Sequence, residues 1–372
     1  MIPHPPWQLA LLAGVVTALF ILLLARFAKR LSLLDTPHGH KQHKQQTPVV
    51  GGIALALGFF ISAGIGGYWP AVSPAFWLAS AMLLATGVLD DMREFGSRPK
   101  FIIQIAGALM MVYWAGGLLT DLGDLFGFGY VQLGWAAVPF TVFGVIGVIN
   151  AINMIDGIDG LAGALGLASL LGFAVIAQSA GLAGQAELIL LLAATLVVFL
   201  GFNLRTPWRS QAAIFLGNAG SLFLGFVLAW YAVTFASPST GLMQPVTALW
   251  LLAIPLFDAV RMTGKRLCRG RNPFAADREH LHHLLMGLGM PVSRVVPLVL
   301  VVHCGFIALG LANEFWLHWP AHGMYLGFLL VFAGYVVLLR WIQARLAVDP
   351  TTGFPPPGCN RLKNNNIRVK SS

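Results

Sequence analysis

Five aspartates in this 372-residue chain, Asp90, Asp91, Asp156, Asp159 and Asp258, stand at or near the ends of long apolar runs. A carboxylate at membrane depth is costly, so it marks a site or pairs with a partner. A helix-end group solvated among headgroups could explain one of them; five on one side of a membrane, flanked by basic loops, read as a site. The run Asn150-Ala-Ile-Asn153-Met-Ile-Asp156-Gly-Ile-Asp159-Gly160 repeats a polar group every third residue. At about 100° per residue that pattern drifts by roughly 60° each step and outgrows a single helical face. Gly157 and Gly160 are therefore expected to break the helix into a loop where amides and carboxylates converge on a ligand. An Asx-rich helix terminus is the alternative reading.

Three basic or glycine-rich segments complement these acids. The segment Asp35-Thr-Pro37-His38-Gly-His40-Lys41-Gln-His43, leading on to Gly51-Gly52, gathers cations and turn residues that could hold an anion. A plain orienting basic loop does not explain three histidines around Lys41. Phe215-Leu-Gly217-Asn218-Ala-Gly220-Ser221 opens another apolar run, where small residues let backbone approach a phosphate and a helix N-terminus favours anions; tight helix packing is its other reading. The longest basic segment holds Arg266, Arg269 and Arg271, then Asp277-Arg278-Glu279-His280-Leu281-His282-His283. A zinc site would want neutral imidazoles and usually a fourth ligand, and the neighbouring arginines disfavour it. Imidazoles and arginine forks suit a nucleotide diphosphate better, with anionic lipid headgroups as the competing occupant.

The elements that must position these residues are set by composition. Hydrophobic residues make up 57% of the chain and charged ones 10%, against about 25% charged in ordinary globular proteins, and mean hydropathy is +0.77. An all-α, polytopic membrane protein follows. Collagen-like, disordered and disulfide-stapled chains are excluded, since Cys268, Cys304 and Cys359 are too few and scattered for a framework. Stretches of the length needed to span occur at roughly 7–26, 49–69, 73–90, 100–119, 134–153, 158–180, 185–203, 213–235, 242–262, 293–313 and 321–341, eleven in all. The first lacks a basic n-region and ends in Arg26, Lys29 and Arg30, so it reads as a retained helix rather than a signal peptide. With the N-terminus outside and the C-terminus cytoplasmic, all 23 Lys and Arg fall on the inner side. The net charge of +9 is thus loop asymmetry and not a nucleic-acid footprint. Residues 1–348 read as a single transmembrane domain with cytoplasmic loops, and 349–372 as a flexible cytoplasmic tail.

Taken together, Asp35-x-Pro37 with Lys41 and His43, Gly51-Gly52, Asp90-Asp91, the Asn150 to Gly160 run, Phe215-x-Gly217-x-x-Gly220-Ser221 and His280-x-His282-His283 resemble the polyprenyl-phosphate N-acetylhexosamine-1-phosphate transferase family. Their order matches across almost the whole chain, and the stretch from Pro273-Phe274 to His283 is most similar to the bacterial undecaprenyl-phosphate N-acetylglucosamine-1-phosphate branch. That branch starts O-antigen, common-antigen or wall-polymer synthesis at the bacterial inner membrane, with its site facing the cytoplasm. The resemblance implies transfer of sugar 1-phosphate from a UDP-N-acetylhexosamine to undecaprenyl phosphate, with release of UMP.

By the same resemblance, Asp90, Asp91, Asp156 and Asp159 are the catalytic candidates. Lys41, His43, Asn150, Asp258, Arg278, His280, His282 and His283 are the substrate-binding ones. Asn153 and Asn218 would ligate Mg²⁺, with Mn²⁺ as an alternative. Two departures stand out: His40 where the family commonly has Arg, and Asn218 where it usually has Asp, which costs the metal position a full negative charge. Asn218 also raises the alternative of a catalytically impaired relative that binds polyprenyl phosphate. A lipid-linked-sugar transporter is the remaining class, which would show internal repeats and helices broken near the midplane. The sequence leaves open whether the protein is a monomer or a homodimer, and which N-acetylhexosamine it uses.

Overall fold

Backbone N–H and C=O groups in lipid must be satisfied within their own segment, which leaves helices as the elements available to these apolar runs. The computed structural model describes residues 6–35, 46–93, 96–270 and 279–346, and is helical almost throughout. Helix α1 (Pro6–Phe27) is followed by a short antiparallel pair, β1 (Leu34–Asp35) with β2 (Thr47–Pro48), in which Leu34 faces Pro48 and Asp35 faces Thr47. Then come α2 (Gly51–Ile65), α3 (Pro74–Arg93), α4 (Ser97–Ala115), α5 (Ala137–Ile155), α6 (Leu161–Ser179), α7 (Ala183–Asn203) and α8 (Gly217–Ala236). The chain continues with α9 (Pro245–Leu251), α10 (Ala253–Cys268), α11 (Leu281–Gly287), α12 (Val292–Ala312) and α13 (Ala321–Leu346).

Every stretch expected to span is occupied by helix. Among the described residues, eight helices are long and apolar enough to cross a membrane, and nine crossings result if one bent pair counts as a span. The two remaining stretches fall to α2, whose 15 residues reach only about 22 Å, and to α4, which begins among Arg98 and Lys100.

One expectation is corrected. The stretch 242–262 is not a single helix: α9 and α10 meet at Leu252 with an 87° bend. Pro255 is the reason. It has no N–H to give the carbonyl of Leu251 four residues back, and its ring crowds that carbonyl, so the helix breaks there. Helix α11, at the end of the basic segment, was not anticipated either.

Helix α8 is the axis of the bundle. It is apolar on every side and 94% of its apolar stretch is buried, as expected for a helix that other helices surround. It packs against α2, α3, α5, α6 and α9. Association in lipid depends on close packing rather than on the hydrophobic effect, and small residues permit it. A Cβ on Gly52 of α2 would fall 2.1 Å from the Gly220 amide nitrogen, and one on Gly87 of α3 would fall 2.4 Å from the Ala219 Cα. Both contacts lie at the start of α8, so the closest backbone approaches in this part of the bundle hold the end that carries Asn218.

Gly87→Val is therefore expected to push α3 off α8, at the cost of about 1–3 kcal/mol typical of overpacking, read as a lowered unfolding midpoint in detergent together with loss of the transfer that the resemblance implies. Gly144→Ala, where an added Cβ meets nothing within 4 Å, is the control and should leave both unchanged.

Candidate active site

At one end of the bundle α3, α5, α8, α10 and α11 converge, and each brings polar groups for which the sequence had suggested a role. Asp91, in the last turn of α3, accepts the backbone N–H of Asn218 at 2.9 Å and of Ala219 at 3.0 Å. A carboxylate is thereby seated on the first turn of α8, where unpaired N–H groups and the helix dipole favour negative charge. Gly217 enters that turn with φ +74°, and a Cβ there would lie 2.6 Å from Asp91 Oδ2, so neither a side chain nor an ordinary backbone conformation fits.

The Asn218 side chain extends the arrangement. Its Nδ2 donates to Asp91 Oδ1 at 3.0 Å, and its Oδ1 accepts from Asn153 Nδ2 at 2.9 Å. A carboxylate can only accept, so the amide must present its nitrogen to Asp91 and its oxygen to Asn153. Asn153 Nδ2 also donates to Ser221 Oγ at 2.8 Å. An aspartate at position 218 would set two carboxylates against each other unless a cation lay between them; Asn218 achieves the same join without one.

Asp90, adjacent in sequence, points elsewhere: it is buried and ion-paired to Lys100 of α4 at 2.8 Å. The turn between α5 and α6 takes the form expected, with the helix ending at Ile155 and Gly160 at φ +86°. Asp159 pairs with Arg205 Nε at 2.6 Å and accepts the Ala212 N–H at 3.3 Å. The turn is fixed further by Asn203, whose Oδ1 accepts the Gly160 N–H at 2.7 Å and whose Nδ2 donates to the Ile214 carbonyl at 2.8 Å. Asp156, just past the end of α5, is pushed up to about 7, first by burial and then by the negative charges of Asp91 and Asp159.

A second group faces this turn. Asp258 of α10 is buried; its Oδ2 lies 2.7 Å from His280 Nδ1, and its Oδ1 accepts the Leu281 N–H and the Tyr335 hydroxyl, each at 3.0 Å. Asp258 thus holds both the imidazole and the start of α11. His282, one turn on, rests directly against the Asp156–Gly160 turn: a Cβ on Gly157 would fall 2.2 Å from His282 Nε2. Burial, and next the proximity of His283, push the His282 imidazole down to about 3, so it is neutral at pH 7. Both its ring nitrogens are buried without a partner among the described residues. Such groups are rare unless a ligand or water completes them. The His283 ring lies beside it at a tilt of 50°, with ring centroids 4.3 Å apart. Arg261, one turn along α10 from Asp258, donates through Nη1 to the Glu279 carbonyl at 2.8 Å, while its Nη2 is buried and has no partner among the described residues. Glu279 also pairs with Lys265 and Arg269.

Most of the residues singled out from the sequence are therefore brought together. Asn150 is placed differently, since its amide donates to Gln104 Oε1 and to the Ile146 carbonyl, both at 2.8 Å, tying α5 to α4. Lys41, His43 and Arg278 lie outside the described residues. Sequence reasoning missed Lys100, Arg205, Arg261 and Tyr335. Only Arg261 carried a usable signal, standing three residues after Asp258 and hence on the same helix face. Among the described residues no three His, Cys, Asp or Glu side chains form a ready-made metal cage.

A bundle of apolar helices that gathers carboxylates, amides, imidazoles and arginines at one end defines a polytopic membrane enzyme for charged substrates. Residues 73–236 match the family described as Glycosyl transferase family 4. The chain is 32% identical over 334 residues to an undecaprenyl-phosphate alpha-N-acetylglucosaminyl 1-phosphate transferase of Escherichia coli (strain K12), covering 88% of this chain and 90% of the relative. Enzymes with the same description from Haemophilus influenzae and Yersinia pestis are 31% and 30% identical, over 87% and 88% of this chain and 93% and 90% of their own lengths. The chain belongs to this family of membrane sugar-1-phosphate transferases, and it is a glycosyl-1-phosphate transferase.

Asp90→Ala, Asp91→Ala and Asp159→Ala are each expected to reduce transfer in isolated membranes by roughly a hundredfold or more, at unchanged protein level. Asp124→Ala, at the opposite end of the bundle, should stay within about twofold, as surface substitutions do. Radiolabelled sugar incorporated into lipid, with immunoblot normalisation, measures both.

Proposed function

We propose that the enzyme transfers N-acetylhexosamine 1-phosphate, with N-acetylglucosamine 1-phosphate as the first choice, from the UDP-sugar to undecaprenyl phosphate at the inner face of a bacterial cytoplasmic membrane. The observation that carries this reading is the seating of His282 on Gly157: it closes the carboxylate-rich turn against the imidazoles and arginine, and so joins the two groups into one site. The printed names of the relatives, 30–32% identical over nearly the whole chain, support the lipid acceptor and the sugar.

In the reaction an acceptor phosphate oxygen forms a bond to the sugar-bearing phosphorus while the bond to UMP breaks, and UMP carries away the electron pair. A phosphate monoester has its second pKa near about 6, so the acceptor is mostly dianionic at pH 7 and needs no base. The geometry agrees with that economy. Asp90 is committed to Lys100 and both Asp91 oxygens to the first turn of α8, so these aspartates orient neighbours instead of collecting a proton. Asp159 with Arg205 would meet the uridine, neutral His282 can donate an N–H to a phosphate oxygen, and Arg261 Nη2 can do the same. Lys41 and His43 would hold the acceptor phosphate.

Mg²⁺, or Mn²⁺ by the same chemistry, is part of the proposal. The donors present are oxygens of amides and carboxylates, which suit a hard cation. Asn153 and Asn218 would hold it through amide oxygens, each with a second lone pair, beside Asp91 and Asp156, whose mutual repulsion a cation would relieve. When bound it would neutralise the donor diphosphate and orient the leaving UMP.

The test is transfer by the purified enzyme with a panel of UDP-sugars, reading UMP release and lipid product across a Mg²⁺ titration. UDP-N-acetylglucosamine is the expected donor; transfer from non-acetylated UDP-hexoses alone would overturn the sugar assignment. Asn218→Asp is expected to restore a charge to the site and lower the Mg²⁺ concentration for half-maximal rate. An unchanged requirement would remove Asn218 from the metal's surroundings.

Eleven crossings, with an outer N-terminus and an inner C-terminus, are part of the same reading, because that arrangement places all 23 basic residues inside. Reporter fusions after Asp124 and after Lys363 should lie on opposite sides. Fusions on the same side would refute the count.

A further inference from the structure

Away from the inner face, α6 and α12 share a buried hydroxyl–imidazole pair. Ser169 is 1% exposed and His303 is fully buried. Ser169 Oγ donates to the Leu251 carbonyl at 2.7 Å and lies 3.0 Å from His303 Nε2. A serine hydroxyl has one proton, and here it goes to Leu251. His303 Nε2 must therefore be the N–H donor to Oγ, which fixes the tautomer.

The Leu251 carbonyl is the one that Pro255 strips of its helical partner. In a dry interior such an orphan is costly, and Ser169 supplies the missing proton at the point where α9 and α10 bend by 87°. The surroundings are shaped to the bend as well. A Cβ on Gly172 of α6 would fall 3.3 Å from Leu251 Cδ2, and one on Gly310 of α12 would fall 2.9 Å from Trp250 Cβ. Past the bend, α10 packs on α5 and carries Asp258, which holds His280 and the start of α11.

We infer that Ser169 and His303 are positioning residues: they clamp the break between α9 and α10 and so aim Asp258, and through it His280 and His282, at the substrate. The inference rests on the reading of His282 as a group that contacts the nucleotide-sugar donor. Neither residue touches substrate. Their effect is carried by the direction of α10.

The experiment uses the full-length enzyme in detergent, with UDP-N-acetylglucosamine and undecaprenyl phosphate varied in turn. His282→Ala is the reference and identifies the KM that the imidazole governs. Ser169→Ala and His303→Leu are each expected to raise that same KM by about fivefold or more, as loss of a buried hydrogen bond does, while the other KM stays within about twofold. The double variant should be no worse than the stronger single one, because both remove one clamp. His303→Gln, whose amide N–H can stand near the place of Nε2–H, should return the KM most of the way. An unchanged KM in both single variants, an equal rise in both KM values, or a His303→Gln as impaired as His303→Leu would overturn the inference. If Ser169→Ala does not accumulate, Ser169→Cys keeps the volume with a weaker donor: an intermediate shift supports the clamp and no shift refutes it. Should His282→Ala raise the acceptor KM instead, the donor assignment fails. The clamp then stands only if the Ser169 and His303 variants raise that KM too.

Discussion

A helix buried on every side has no water for the N–H groups of its first turn, and α8 meets that constraint with the carboxylate of Asp91. Much of this end of the bundle follows from this contact. It joins the end of α3 to the start of α8, requires glycine at 217, and turns the Asn218 amide so that its oxygen meets Asn153 on α5. Through α5 the constraint reaches the Asp156–Gly160 turn. It also accounts for the different tasks of two adjacent aspartates: Asp91 is directed along α8, whereas Asp90, about 100° around the helix, meets Lys100 on α4.

The opposite wall is organised by a second buried carboxylate. Asp258 accepts from His280, Leu281 and Tyr335, and so gathers α10, α11 and α13 at one point. Lys100 and Arg205 are already paired to Asp90 and Asp159. In the proposed reaction, phosphates enter a face where these two cations are already taken. There they would compete for Lys100 and Arg205, whereas the N–H of neutral His282 and Arg261 Nη2 have no partner among the described residues to give up.

Much of this was legible in the sequence where the signal is local. Gly157 and Gly160 interrupt a polar run that no helical face can hold, and the turn is there. Apolar runs located the helices because burial in lipid leaves few alternatives. The break at Leu252 was legible too, in Pro255, but the hydropathy of the run masked it: residues 245–268 are apolar enough to read as one crossing. Ion pairs such as Asp90 with Lys100 and Asp159 with Arg205 were not legible. They depend on which helix ends meet in space, and the partners are ten and forty-six residues apart. Asn150 misled for the opposite reason: its spacing matches Asn153 and Asp156, yet the drift of about 60° from Asn153 turns it to Gln104.

The burial of α8 has a mechanical consequence. The peripheral helices meet lipid, with only 28% of the apolar stretch of α1 and 17% of that of α13 buried, against 94% for α8. A bilayer that thickens or thins acts first on helices it touches, through tilt and local adjustment. Asn218 stands on a helix sheathed by others, and Asp91 and Asn153 are tied to it, so such deformation reaches Asn218 only through the packed side chains of its neighbours. An enzyme that adds sugar phosphate to a membrane lipid, and so alters the medium it is dissolved in, keeps its reacting end in a frame insulated from that medium.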